Sequence, residues 1–189
     1  ELWEELKRST ESDVSDAFSG RIADAAERID QTLDAELSLR KAFVLTKKRY
    51  PLESIVDSPQ ELLSADTWHK LSDTARRDFG LATTQVALSQ PTGAAFHLMR
   101  TVEDHLKTLY FNYKKKNRLQ KPMWGPMVKE LREKRAPKPS TKLLDLLDGI
   151  RVHFRNPTQH PEAFYTMDEA QDLLNQSTTA LNMISAEIS

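Results

Sequence analysis

The chain has 189 residues and a formal net charge of −1, with 29% of its residues charged and 39% hydrophobic. This composition is typical of a folded domain with a core, and it excludes a disordered chain. The chain contains no cysteine, which excludes disulfides, thiolate zinc sites and a cysteine nucleophile. It also contains neither an apolar run of roughly 20 residues nor a signal-peptide pattern, so we expect a cytoplasmic protein without a membrane anchor.

Helix signals recur along the chain and strand signals are weak, so the sequence predicts an all-α fold. The first predicted helix is amphipathic and runs from about Ser12 to Lys48, as one helix or as two in tandem. An unbroken helix would span roughly 50 Å at 1.5 Å per residue, so we expect it to project from the domain or to lie along a partner. Its apolar positions are Val14, Phe18, Ile22, Ala25, Ile29, Leu33 and Leu37.

A linker is predicted from Tyr50 to Pro59, and we therefore divide the chain into an N-terminal helical arm and linker, 1–57, and a helical domain, 58–189. The sequence from Ser58 to Glu61 has the pattern of a capping box that opens a short helix. Two longer helices follow, from Ser72 to Ser89 and from Thr92 to about Lys115. Their predicted buried positions are Leu71, Ala75, Phe79, Ala82, Val86 and Leu88, then Ala95, Leu98, Val102, Leu106, Leu109 and Tyr113.

A concentration of basic residues follows, from Lys114 to Lys142. This basic segment holds eleven Lys or Arg and two acids, a net charge of +9, whereas the first 37 residues hold eleven acids and four bases. A basic segment in an acidic protein indicates a phosphate-binding surface, with a solvated loop and helix face as the alternative. The candidate RNA-binding residues are Lys114, Lys115, Lys116, Arg118 and Lys121.

Within and after the basic segment, the sequence predicts a turn over 121–126, a helix over 127–135, and a helix capped by Ser140. The last of these carries Leu143, Leu144, Leu147, Ile150 and Phe154 on one side. Because Asn156 precedes a proline, we expect the chain to leave the helix there. Thr166 and Glu169 form a second capping-box pattern, which opens a final helix that runs nearly to the end of the chain.

The most informative motif lies between these last two helices, in the six residues from Arg155 to His160. Arginine keeps its charge and binds phosphate oxygens with a planar fork. Histidine titrates near neutrality and can take or give a proton, and the amide of Asn156 can orient either group. The spacing alone is weak, because arginines near helix ends often cap carbonyls. A loop between two rigid helices is, however, where functional groups concentrate.

These residues resemble the HEPN superfamily, the all-helical domains of prokaryotic ribonuclease toxins, abortive-infection proteins and RNA-guided nucleases. The match consists of Arg155, Asn156 and His160, then Pro161, Phe164-Tyr165-Thr166 and Glu169-Ala170, with Ala95 to Glu103 similar to the family's first long core helix. It covers about 72–188 and leaves out the acidic arm. The resemblance implies an HEPN-like helical bundle and a homodimer that brings two motifs into one groove. Because an apolar stripe lies alongside the motif, we expect the dimer to form through the helices bearing Arg155 and Leu147.

The same resemblance implies a metal-independent endoribonuclease without a cofactor. It also implies a role as a toxin or phage-defence effector that is controlled by an antitoxin or another regulatory protein. In this chemistry the RNA 2′-hydroxyl attacks the adjacent phosphate, with His160 as general base or acid, Arg155 stabilising the developing charge and Asn156 orienting. Two alternatives remain open: a catalytically silent helical module that binds RNA or a protein partner, and a structural protein whose long N-terminal helix makes the contacts.

Other polar and aromatic residues have weaker interpretations. Arg100 and Glu103 form either a surface ion pair or, by the resemblance, support for the catalytic groove. His69 is expected to pack with Trp68, and Trp124 to anchor the core, with stacking on a base as its alternative. His153 is expected to be structural or incidental. His97 and His105 lie eight residues apart on one helix without an acid at ligand spacing, so no metal site is predicted.

Overall fold

The computed structural model describes residues 4, 16–41, 44–116, 118–158 and 162–188. Their regular structure is entirely helical, with no strand, which confirms the predicted all-α fold class. The chain forms two compact units, Glu1–Val44 and Leu45–Ser189. Among the described helices, none combines the length and the apolar character that a bilayer crossing requires.

The first unit contains one long helix, α1, at Asp16–Ser38. The predicted extension to Lys48 is wrong, because residues 44–50 are not helical. The sequence explains this end, since the apolar stripe stops at Leu37 and the next positions on that face are Arg40 and Lys41. Much of the stripe is open to solvent, with Ile29 66% exposed and Leu37 54% exposed.

The second unit begins with short helices where the sequence predicts a linker. Helix α2, Leu52–Val56, buries Ile55 completely in the core. A 3₁₀ turn follows at Pro59–Leu62, and its predicted capping box is wrong because the Ser58 side chain makes no capping hydrogen bond. The N-cap lies a little later, at the start of helix α3, Ala65–Lys70, where Ser64 Oγ accepts a hydrogen bond from the N–H of Thr67.

The centre of the unit is a pair of helices, α4 at Asp73–Ala87 and α5 at Pro91–Tyr113, which pack against each other. Ser72 caps α4 by accepting from the N–H of Ala75, and Pro91 occupies the first turn of α5, where its missing N–H costs nothing. The predicted core positions of both helices are buried except two. Leu88, at the end of α4, is 40% exposed, and Tyr113, in the last turn of α5, is partly buried.

Three further helices complete the unit: α6 at Trp124–Glu133, α7 at Thr141–Ile150 and α8 at Met167–Glu187. The predicted turn over 121–126 is therefore wrong in its second half, because a first helical turn tolerates Pro126 without an N–H partner. Ser140 caps α7 as predicted, by accepting from the N–H of Leu143 at 3.3 Å. Helix α8 packs on α5 and α7, and its capping box between Thr166 and Glu169 is complete.

The leucine stripe of α7 lies inside the core of its own chain. Its members are almost fully buried: Leu143, Leu144, Leu147 and Ile150. This corrects one argument for the expected dimer, since the stripe is already covered and cannot supply the apolar contact between two copies. A dimer contact near the motif would have to use other residues.

Candidate functional site

Arg155 is the last residue of a π-helical turn, Arg151–Arg155, which continues α7. The turn is defined by the N–H of Asn156, which donates to the carbonyl of Arg151, five residues earlier. A short helical turn, Asn156–Thr158, follows directly. The prediction that the chain leaves the helix at Asn156 is therefore wrong. Proline has no N–H and crowds the carbonyl four residues earlier, and the wider turn before Pro157 accommodates both properties.

Such wider turns are rare and often mark functional positions in helices. Here the turn ends in an arginine whose side chain reaches across to α5. Arg155 Nη2 lies 3.8 Å from Glu103 Oε2, and the two side chains are only 25% and 23% exposed. At this separation the contact is an ion pair without a short hydrogen bond. The guanidinium is thus held in place by charge in a half-buried setting, where screening by salt is reduced.

Tyr165 attaches the chain after the motif to the π-helical turn and to α5. Its hydroxyl donates to the carbonyl of Phe154 at 2.8 Å, and the two rings stack with centroids 6.2 Å apart. Its backbone N–H donates to Thr92 Oγ1 at 3.3 Å, at the beginning of α5. The described residues on the two sides of the motif therefore contact α5 at Glu103 and at Thr92.

The capping box holds this second attachment at the start of α8. Thr166 Oγ1 accepts from the N–H of Glu169, while a Glu169 carboxylate oxygen accepts from the N–H of Thr166 at 2.7 Å. The hydrogen bond from the N–H of Thr166, followed by one from the Thr166 hydroxyl at 2.8 Å, lowers the pKa of the Glu169 carboxyl. The side chain therefore stays ionised as the pH falls, and an anionic cap at a helix N-terminus is favourable.

The other two members of the predicted catalytic set have different outcomes. Asn156 is exposed at the end of the π-helical turn. His160 lies outside the described residues, together with Gln159 and Pro161. Within the described part of the chain no group of histidine or acidic residues has the arrangement of a metal site. The structure thus brings Arg155 and Glu103 together, while the role of His160 stays a prediction.

The predicted pairing between Arg100 and Glu103 is not the one that the structure contains. Arg100 Nε donates to Asp78 Oδ2 at 2.9 Å, and His97 Nδ1 lies 2.8 Å from Asp78 Oδ1. The side chain of Asp78 is only 6% exposed. A carboxylate buried to that extent needs such partners. Each member of the predicted pair therefore has a partner on another element, Asp78 of α4 for Arg100 and Arg155 for Glu103.

Asp78 is a residue that the sequence analysis overlooked, although the sequence contains a signal for it. It lies three residues after Ala75 and four before Ala82, which are both buried. An acidic residue at a core-facing position of an amphipathic helix is unusual and indicates a buried partner. The partners, His97 and Arg100, lie on the neighbouring helix.

The candidate RNA-binding residues divide into one that is engaged internally and four that are exposed. Lys114 Nζ lies 3.1 Å from Glu130 Oε2, which also accepts from the hydroxyl of Tyr110 at 2.8 Å. The hydrogen bond from Tyr110, followed by the contact with Lys114, lowers the pKa of the Glu130 carboxyl. The exposed residues are Lys115, Lys116, Arg118 and Lys121.

Arg118 is oriented by its own loop. Its Nε donates to the carbonyl of Lys114 at 2.6 Å, and its guanidinium lies over the ring of Phe111 at 5.0 Å from the centroid. Further along the basic segment, Arg132 forms ion pairs with two acids of α7. Its Nη1 lies 2.8 Å from Asp145 Oδ1, and its Nη2 lies 3.1 Å from Asp148 Oδ2. The charge that the segment presents to a ligand is therefore smaller than its sequence total.

The remaining histidines and tryptophans are mostly structural. His105 is buried and lies 2.8 Å from Ser185 Oγ. Trp124 is buried, and its Nε1 donates to the carbonyl of Leu147 at 3.1 Å, which confirms a core anchor and excludes a stacking platform. The predicted packing of His69 with Trp68 is wrong, because His69 is exposed and Trp68 meets Phe79 edge-on. His153 is also exposed.

No protein family, curated protein or solved structure matches the chain.

Proposed function

We propose that the chain is a metal-independent endoribonuclease of the HEPN type, acting as a homodimer and serving as a toxin or phage-defence effector under the control of an antitoxin or another regulatory protein. The observation that carries the proposal is the placement of Arg155. It ends a π-helical turn two residues before the proline of the motif, and its guanidinium is paired with Glu103 of α5. An arginine held in this way is pre-organised for a phosphate, because fewer side-chain rotamers are lost on binding.

The proposed reaction needs three roles and no metal. His160 removes the proton from the RNA 2′-hydroxyl or protonates the leaving 5′-oxygen. Arg155 stabilises the negative charge that develops on the phosphate, and Asn156 orients the reacting groups. The products are a 2′,3′-cyclic phosphate and a 5′-hydroxyl, and DNA cannot react because it lacks the nucleophile.

The experiment compares the wild-type chain with two histidine variants on total RNA in the presence of EDTA. His160→Ala should abolish detectable cleavage, because loss of a general acid or base typically costs 10²–10⁴-fold in rate. His153→Ala is the matched control, since this exposed histidine lies only two residues before Arg155 and should cleave normally. Equal cleavage by both variants, or loss of wild-type cleavage with EDTA, would refute the mechanism.

The proposed dimer has to use apolar residues that the core leaves exposed. Phe96 of α5 is 46% exposed, and beside the motif Val152 is 46% exposed and Phe164 is 83% exposed. Val152→Glu should shift the chain from dimer to monomer in sedimentation at tens of micromolar. Leu88→Glu, at an apolar residue that is 40% exposed at the end of α4, is the control that should leave the dimer intact. A wild-type chain that sediments only as monomer would refute the dimer.

A second candidate function is RNA binding without cleavage, which the exposed residues Lys115, Lys116, Arg118 and Lys121 favour. Replacing Lys115 and Lys116 with Gln should weaken RNA binding and flatten its dependence on salt. A variant with fewer phosphate contacts releases fewer counterions when it binds. Lys114→Gln is the internal control, since its ammonium already pairs with Glu130. Wild-type chain that binds RNA and never cuts it would favour this function over the nuclease.

A further inference from the structure

Arg100 lies on α5 between the two points that the described flanks of the motif contact. Those points are Glu103, which pairs with Arg155, and Thr92, which accepts from the N–H of Tyr165. Arg100 precedes Glu103 by three residues and follows Phe96 by four, and Phe96 follows Thr92 by four. These spacings place all four residues on one side of the helix. Arg100 is thus on the side of α5 against which the motif is attached.

The guanidinium of Arg100 is held from two directions. Its Nε donates to the buried carboxylate of Asp78 at 2.9 Å, and its central carbon lies 5.7 Å from the ring centroid of Phe96. Asp78 is itself fixed by His97 at 2.8 Å. The side chain of Arg100 nevertheless remains 53% exposed. The hydrogen bond to Asp78 uses Nε, and within the described residues neither Nη group has an ion-pair or hydrogen-bond partner.

The acids around Arg100 are already engaged. Asp78 contacts His97 and Arg100, while Glu103 pairs with Arg155. Asp104 accepts from Ser72 Oγ at 2.6 Å. These three carboxylates balance three cations, Arg100, Arg155 and Lys107, the last of which lines the same cleft as Arg100. An anion would therefore bind here through directed N–H donors and not through a strong overall field. A guanidinium that is fixed through Nε and presents its Nη edge suits a phosphate, which accepts two parallel hydrogen bonds.

We propose that Arg100 binds a phosphate of the RNA next to the one at Arg155, and that Asp78 is the residue that positions it. The inference rests on the proposed function, since it assigns a second contact to the same RNA. Arg155 then acts on the reacting phosphate, while Arg100 fixes the register of the strand. Asp78 touches no RNA in this arrangement and acts only through the orientation of Arg100.

The test measures binding of a 2′-O-methyl RNA oligonucleotide, which cannot be cleaved by 2′-hydroxyl attack, across a range of salt concentrations. Arg100→Gln should weaken binding by about tenfold, as for one lost hydrogen bond to a charged group, and should reduce the slope of log affinity against log salt by about one. Arg76→Gln is the matched control, because Arg76 lies on α4, pairs only with Asp73 among the described residues and should leave both quantities unchanged.

Asp78→Asn tests the positioning role. Alone it should weaken binding as Arg100→Gln does, and in combination with Arg100→Gln it should add no further loss, because the two residues act as one unit. Thermal unfolding by circular dichroism accompanies each variant, and the exposed Arg100→Gln keeps the test valid if Asp78→Asn does not fold.

The outcomes separate this inference from the nuclease. Wild-type affinity and salt slope in Arg100→Gln would overturn the second phosphate contact, even if the wild-type chain cleaves ordinary RNA. Additive losses from the two substitutions would overturn the positioning role of Asp78. Failure of the wild-type chain to bind the analogue would overturn the subsite altogether. If Arg100→Gln and Asp78→Asn weaken binding as expected but the wild-type chain does not cleave ordinary RNA, the subsite is supported and the nuclease is refuted.

Discussion

The buried imidazole of His105 makes the stability of the fold depend on pH. His105 lies on α5, is 1% exposed, and has Ser185 Oγ of α8 at 2.8 Å from its Nε2. Burial disfavours the charged imidazolium, so the pKa of His105 falls from 6.5 to about 4, with Asp104 opposing this shift and Lys70 adding to it. Between these two pKa values the unfolded chain binds more protons than the folded chain, and the free energy of unfolding therefore decreases as the pH falls.

The size of the effect follows from the two pKa values. Each pKa unit corresponds to about 1.4 kcal/mol, so the full loss below pH 4 is about 3 kcal/mol, and about 2 kcal/mol of it occurs between pH 7 and pH 5. The carboxyls whose pKa is lowered, Glu130 and Glu169, lose their contribution only as the pH falls below their ordinary value of 4.5. Urea denaturation at pH 7 and pH 5, followed by far-UV circular dichroism, therefore separates the effect of His105 from that of these two carboxyls.

His105→Gln should abolish most of this pH dependence, whatever it costs at pH 7, because glutamine does not titrate. His153→Gln is the control, since His153 is exposed and should leave the pH dependence of the wild-type chain unchanged. If His105→Gln loses as much stability between pH 7 and pH 5 as the wild-type chain, the assignment of the effect to this imidazole is wrong.

Three further substitutions test the contacts that hold the core and the site. Trp124→Phe removes the hydrogen bond to the carbonyl of Leu147 and leaves a cavity, so unfolding should become easier by about 2–3 kcal/mol in urea, with unchanged RNA affinity. Thr166→Ala should cost about 1 kcal/mol, as for a typical lost N-cap. Tyr165→Phe should cost about 1 kcal/mol through the lost bond to Phe154, and single-turnover assays should show a larger loss of cleavage than this change in stability explains.

Local sequence signals predicted the core of the fold well. Most residues that the apolar periodicity of α4, α5 and α7 predicted to be buried are buried, although α4 and α5 also bury residues outside the predicted stripes. The N-caps at Ser72, Ser140 and Thr166 have the expected hydrogen bonds. Ser58 has the same local pattern and makes no such bond. The difference lies in the residues that follow, because Pro59–Leu62 forms a four-residue 3₁₀ turn and not the α-helical turn that a capping box requires.

The site was less predictable because its contacts join distant parts of the chain. Arg155 reaches Glu103, and Arg100 reaches Asp78, whereas the sequence analysis paired Arg100 with Glu103 because they are three residues apart. Helical spacing places two residues on the same side of a helix and does not decide whether a partner on another helix competes for them. The wide turn before Pro157 was also missed, because the rule that a helix ends before a proline assumes ordinary α-helical geometry.

The same distinction changes the meaning of the basic segment. Its sequence total of +9 suggests one large surface, yet Lys114 pairs with Glu130, and Arg132 pairs with acids of α7. We expect the exposed cations near 115–121 to bind polyanions through charge, and such binding weakens steeply with salt. Arg100 and Arg155 are each paired with a carboxylate, Asp78 and Glu103. In the proposed function, their contribution to RNA binding and cleavage therefore depends on the orientation of their N–H donors. We therefore expect substitutions near 115–121 to alter mainly the salt dependence of binding, and those at Arg155 to alter mainly cleavage.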